Sequence, residues 1–120
     1  MQVTQPLRKT ALFTGLDEDI VRYFAENSHR KTYNKGTDLF NMGDAANAFF
    51  FIINGWVKLY RITRDGEEAI INVFAPGETF AEAAVFGPQQ KYPVSAQAVE
   101  NTELLEIPRA LFVNKIKEDS

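Results

Sequence analysis

Few side chains in this sequence are equipped for chemistry. Across 120 residues there is one histidine, His29, and no cysteine. Disulfides, zinc-thiolate centres and iron–sulfur clusters need cysteine sulfur and are excluded. Metal enzymes on small β-barrels draw several histidines onto the ion, which a lone His29 does not supply. No Ser-His-Asp set can be assembled around it, and no Gly-rich phosphate loop of Walker type is present, so catalysis is not expected. His29 follows a predicted helix end, between Ser28 and Arg30, where an imidazole caps carbonyls or meets solvent. Glu82 stands within the alanine-rich stretch Thr79-Phe80-Ala81-Glu82-Ala83-Ala84-Val85-Phe86. As a purely local element, Glu82 near the start of a short helix stabilises that end by about 0.3–1 kcal/mol.

The charge balance narrows the partners. Thirteen basic and 16 acidic residues give a net charge of −3, whereas a domain that holds nucleic acid by itself presents a basic face. Direct DNA contact by these residues is not expected. No apolar run approaches the ~20 residues of a membrane span, and MQVTQPLRKTALF has no signal-peptide core, so a cytoplasmic location without a membrane partner is expected. A chain of this length makes one domain.

The elements that position these residues can be read from periodicity. Leu16, Ile20, Val21 and Phe24 recur at helical spacing behind Asp17, Glu18 and Asp19, which predicts a helix over 17–26. From Lys31 the period becomes two. Turn signals at Asn34-Lys35-Gly36, Met42-Gly43-Asp44, Asn54-Gly55, Arg64-Asp65-Gly66 and Pro76-Gly77 separate short apolar runs. Such spacing predicts antiparallel strands in a roll, barrel or sandwich. Strands are predicted over 48–53, 56–62, 68–74, 94–99 and 103–107. Asn54-Gly55 is expected to close a two-residue hairpin between the first two, and Asp65-Gly66 to turn the second into the third. The Phe49-Phe50-Phe51 run is expected to be core with one ring outward. Alanine-rich Phe80–Phe86 suits a helical turn, and Pro108, at a first helical position, opens a final helix over 108–116.

The order of these elements and the residues on them resemble the effector-binding domain of the catabolite activator protein and FNR superfamily. The resemblance spans Leu12 to Ile116. It is carried by Leu39-Phe40-Asn41-Met42-Gly43-Asp44, by Ala48 through Tyr60, by Gly77-Glu78-Thr79-Phe80 and by Leu105-Glu106-Ile107-Pro108. It implies a mainly β fold, an antiparallel β-roll with short flanking helices. It further implies a small-molecule effector, and a long dimerisation helix and winged helix-turn-helix beyond Ser120. The full-length protein would then be a homodimer that contacts DNA only through the part absent from these 120 residues.

In nucleotide-binding members a cassette of Gly-Glu-Leu opens a short helix toward the phosphate, and an Arg followed by Ser or Thr completes the clamp. A gapless match over 77–98 puts Ala81, Glu82 and Ala83 on Gly-Glu-Leu, and Tyr92 and Pro93 on the Arg-Ser pair. Only Glu82 is retained. Tyr92 carries no charge, Pro93 has neither hydroxyl nor N–H, and Lys91 falls one position out of phase. Each lost charged bond costs roughly 1.5–3 kcal/mol, so two or three remove about a hundredfold to more than ten-thousandfold in affinity.

Within the superfamily the stretches Gly43–Phe50, Thr79–Ala83 and Tyr92–Val99 resemble Dnr-type regulators, which sense nitric oxide through haem. That resemblance implies an effector other than a cyclic nucleotide, with haem as the candidate cofactor and His29, Met42 or Tyr92 as its candidate axial ligands. The histidines that such domains carry before the first helix are absent from Gln2–Lys9. Phe80, Phe86 and Tyr92 are expected to border the cleft beneath the degenerate cassette. The alternative is a true cAMP or cGMP module controlling a kinase, channel or transporter.

Overall fold

Phe49 and Phe50 are both buried although consecutive residues of a strand point to opposite faces. The strand that carries them is therefore covered on both sides, and the fold is organised around it. The structure is a computed structural model and describes residues 2–118. In chain order its elements are α1 (Thr4–Arg8), α2 (Glu18–Asn27), β1 (His29–Tyr33), β2 (Asp38–Phe40), β3 (Ala48–Asn54), β4 (Val57–Ile62), β5 (Glu68–Phe74), β6 (Thr79–Phe80), α3 (Glu82–Phe86), β7 (Ser95–Ala98), β8 (Thr102–Pro108) and α4 (Arg109–Glu118). Two antiparallel four-stranded sheets, β1-β8-β3-β6 and β2-β7-β4-β5, form a β-roll flanked by short helices.

The central strand β3 divides two aromatic clusters. On the helical side, Phe49 meets Phe13, Phe86 and Phe112, and Phe24 joins them through Phe13 and Phe112. On the other side, Phe74, Phe80, Phe50, Phe40 and Tyr92 stack in that order as a column of near-parallel rings. The expectation of one outward ring in Phe49-Phe50-Phe51 is corrected: all three are buried, because helices cover the face that a simple sandwich would leave wet.

A second correction concerns Asn54-Gly55. The strands β3 and β4 lie in different sheets, so no hairpin joins them. A type I′ hairpin turn requires positive φ at both central residues. Only Gly55 has it, at +97°, and the chain uses that position to cross between sheets. A Cβ there would sit 2.7 Å from Thr102 Cα and 2.8 Å from the Asn101 carbonyl, which restricts the position to glycine. The β4–β5 hairpin does form, closed by Thr63 N–H to Glu67 O at 2.8 Å and Gly66 N–H to Thr63 O at 2.9 Å. Helix α1 is an addition to the expected elements. Its Pro6 sits within the first turn, where a missing N–H breaks no helical bond, and Leu7 anchors it in the core. No helix among the described residues is long and apolar enough to cross a membrane.

Candidate functional site

A short strand leads into the site. After β6 the backbone turns at Ala81, whose φ of +75° is a left-handed conformation for a residue with a Cβ. That turn starts α3 in a new direction and brings its first residues over the end of the ring column. Beneath them lies a cavity of about 380 Å³, within the range of small-molecule sites. Its wall combines Phe40 of β2, Leu59 of β4 and Phe74 of β5 with Thr79 through Ala84 and Tyr92 through Val94.

Six of the residues expected at the site are brought together here: Phe80, Ala81, Glu82, Ala83, Tyr92 and Pro93 all line the cavity. Phe86 does not, which corrects the expectation that it borders the cleft. One turn along α3 from Glu82, it projects to the helical side, with its ring 5.8 Å from Phe49 and 5.3 Å from Phe112. His29 is also elsewhere. It is exposed at the start of β1, which lies three strands from β6 in the sheet order, a separation of about 14 Å at ordinary strand spacing. Met42 is 60% exposed and Lys91 pairs by backbone with Ala45; neither lines the cavity.

The polar groups on the wall are already tied. Thr79 Oγ1 donates to Glu82 Oε2 at 2.6 Å. The Tyr92 hydroxyl donates to the Ala48 carbonyl at 2.6 Å, and its ring lies 3.7 Å from that of Phe40 at an interplanar angle of 11°. Burial pushes the Tyr92 phenol up to about 12. The Tyr92 backbone is held as firmly, its N–H donating to Asp44 O and its carbonyl accepting from Gly43 N–H. No Lys, Arg or His is among the lining residues, and Glu82 makes no ion pair among the described residues. The arrangement can enclose an apolar molecule and offer it one carboxylate.

A hydrogen bond links α3 to α4 across the intervening strands β7 and β8. Arg109 Nε donates to the Val85 carbonyl at 3.2 Å, and its backbone N–H donates to Asn47 O. Six wall residues escaped sequence reasoning as site residues: Phe40, Leu59, Phe74, Thr79, Ala84 and Val94. Only Thr79 had a local signal, since Thr followed three positions later by Glu is the spacing of a reciprocal helix-start pair.

Comparison with known proteins gives a consistent set of relatives. A family model described as the cyclic nucleotide-binding domain matches residues 30–119. The chain is 31% identical over 111 residues to the cyclic AMP receptor protein of Thermus thermophilus, covering 92% of this chain and 51% of that protein. It is 30% identical over 105 residues to the CRP-like protein Clp of Xanthomonas oryzae pv. oryzae, covering 88% and 46%. The solved sensor domain of the transcriptional regulator DNR from Pseudomonas aeruginosa superposes with a TM-score of 0.87 at 32% identity, over 95% of this chain and 76% of that one. The chain spans about half the length of the curated relatives it matches.

Proposed function

The chain belongs to the cyclic nucleotide-binding domain family, and from that premise we propose that it is the effector-sensing domain of a transcriptional regulator whose effector is an organic molecule other than a cyclic nucleotide. The observation that carries this reading is the cavity wall: it holds no cation, and the position matched to the phosphate-binding Arg is filled by a tyrosine whose hydroxyl is bonded to Ala48. A cyclic phosphate entering this cavity would lose its hydration without charged donors to replace it. The expected ligand-binding set is Phe80, Ala81, Glu82, Ala83, Tyr92 and Pro93.

Haem, which the Dnr resemblance implies, requires an axial donor. The wall carries neither imidazole nor thioether, its one phenol is bonded and pushed away from the phenolate form, and His29 and Met42 lie outside the cavity. These residues do not fit haem in this cavity.

In this reading occupancy beneath α3 alters the Val85–Arg109 link and so biases α4, which leads toward whatever follows the domain. DNA affinity would then change through linkage, in a homodimer, without contact between these residues and DNA. Calorimetric titration with cAMP and cGMP tests the proposal. Dissociation constants weaker than about 1 mM are expected, and micromolar binding would overturn it in favour of a true nucleotide module. Reconstitution with haem is expected to give no ligated Soret band; a band that persists in His29→Ala but is lost in Tyr92→Phe would return haem to the site.

A further inference from the structure

The protons on the cavity wall determine which ligand chemistry it accepts. Three lining side chains carry polar atoms: Thr79, Glu82 and Tyr92. Both hydroxyls donate inward to the protein, Thr79 to Glu82 and Tyr92 to the Ala48 carbonyl. Side-chain capacity toward a ligand is therefore acceptor capacity, dominated by Glu82, whose Oε1 has no partner among the described residues. The first-turn amides of α3 carry partial positive charge, but Glu82 sets a full negative charge in that same turn. The remaining wall is aromatic and aliphatic. In the ring column, Phe80 and Phe40 each have a stacked neighbour on both sides, and the terminal rings Phe74 and Tyr92 have one each.

We propose that the cavity selects a flat, apolar ligand bearing a hydrogen-bond donor, preferentially a cationic amine or amidine, with Glu82 as its anchor and the Phe74 to Tyr92 column as its apolar wall. This rests on the reading of the cavity as an effector site for a non-nucleotide molecule and adds the sign of the ligand's charge. An ammonium group satisfies the open carboxylate oxygen with a charge-assisted bond and is further favoured beside aromatic rings. A carboxylate or phosphate on the same frame meets Glu82 as a like charge and finds no side-chain donor.

Three probes that share one ring system and differ in charge test this: 1-naphthylmethylamine, 1-naphthalenemethanol and 1-naphthoate, titrated into the full chain by calorimetry. The amine is expected to bind about tenfold tighter than the alcohol, and the naphthoate about tenfold weaker than it. In Glu82→Gln, which preserves side-chain size, the amine's advantage over the alcohol should shrink to within about twofold. A folded-state far-UV spectrum accompanies each titration. If the alcohol binds and the amine shows no advantage, or the naphthoate binds best, the charge inference is overturned while the apolar effector reading stands. If the amine's advantage survives Glu82→Gln, Glu82 is not the anchor and the inference fails. If none of the three binds, the apolar effector reading falls and takes the inference with it.

Discussion

The Tyr92 hydroxyl donates a 2.6 Å hydrogen bond to the carbonyl of Ala48, 44 residues earlier in the chain. Through this contact the segment that borders the cavity is tied to the first residue of the central strand. Tyr92→Phe keeps the ring stacked on Phe40 but strips the partner from a carbonyl beneath it. Stability is expected to fall by about 1–2 kcal/mol, read as a lower urea midpoint at unchanged slope. An unchanged midpoint would mean that water replaces the hydroxyl and that the site is more open than the buried phenol implies.

The same phenol makes stability depend on alkaline pH. Its folded value near 12 exceeds the ordinary 10.0, chiefly because burial disfavours the phenolate. Below pH 10 both folded and unfolded chains keep the proton, and the full contribution is present. Between 10 and 12 the unfolded chain loses it first, so rising pH favours unfolding, and the contribution is gone above the folded value. Burial also raises the phenols of Tyr33 and Tyr60, and the hydrogen bond from Lys31 to Glu106 raises that ammonium, all acting in the same direction. Denaturant midpoints should therefore decline from about pH 10 to pH 12, with a Tyr92 share on the order of 3 kcal/mol over its whole titration. A shallower decline in Tyr92→Phe is the expected signature.

Ala81 begins α3 from a left-handed conformation, φ +75° and ψ 5°. For a residue with a Cβ this costs roughly 1–2 kcal/mol, part of which a glycine recovers after its greater unfolded-state freedom is counted. Ala81→Gly is expected to stabilise the domain by about 0.5–1 kcal/mol, and Ala81→Val, β-branched at the same φ, to destabilise it by more than that. Thermal denaturation of the pair checks both signs. A destabilised glycine variant would show that the methyl group packs against the cavity wall strongly enough to outweigh the strain.

Local signals made part of this architecture legible and left another part out of reach, for reasons visible in single residues. The strand from Glu68 to Phe74 and its hairpin with β4 follow from alternation and an Asp65-Gly66 turn, both contained within a few residues. The Asn54-Gly55 pair is an equally strong local signal, yet whether the chain pairs with itself or crosses to another sheet depends on Thr102 and Asn101, nearly fifty residues away. Strands of two or three residues, such as β6 and β2, are too short to display a period. Half of the cavity wall was named from the sequence, because the fixed spacing of the family cassette it resembles points to Glu82, Tyr92 and Pro93. Phe86 was misplaced because a five-residue helix started from a left-handed residue presents its faces in an orientation that sequence periodicity does not specify. Phe40, Leu59 and Phe74 reach the cavity through tertiary folding alone.

Helix α4 is held chiefly by Phe112, with Leu111 also packed against the core and Lys115 Nζ 4.6 Å from the Tyr23 ring centroid. None of its described residues is fully buried, but Phe112 sits among Phe13, Phe24, Phe49 and Phe86, at centroid distances of 5.3–5.9 Å. The Arg109 bonds to Val85 and Asn47 hold only its first turn. Phe112→Ala should remove about 2–3 kcal/mol, less than a fully buried phenylalanine because the ring is partly exposed. The loss is expected to be local as well as global: amide hydrogen exchange should accelerate across 113–118 well before it does in β3. Because Phe86 of α3 contacts both Phe112 and Phe49, the same variant should loosen α3 and weaken the amine preference of the cavity without touching any residue that lines it. Exchange rates that rise equally in α4 and β3 would instead show that the helix and the roll unfold as one unit, and that α4 has no separate equilibrium for an effector to bias.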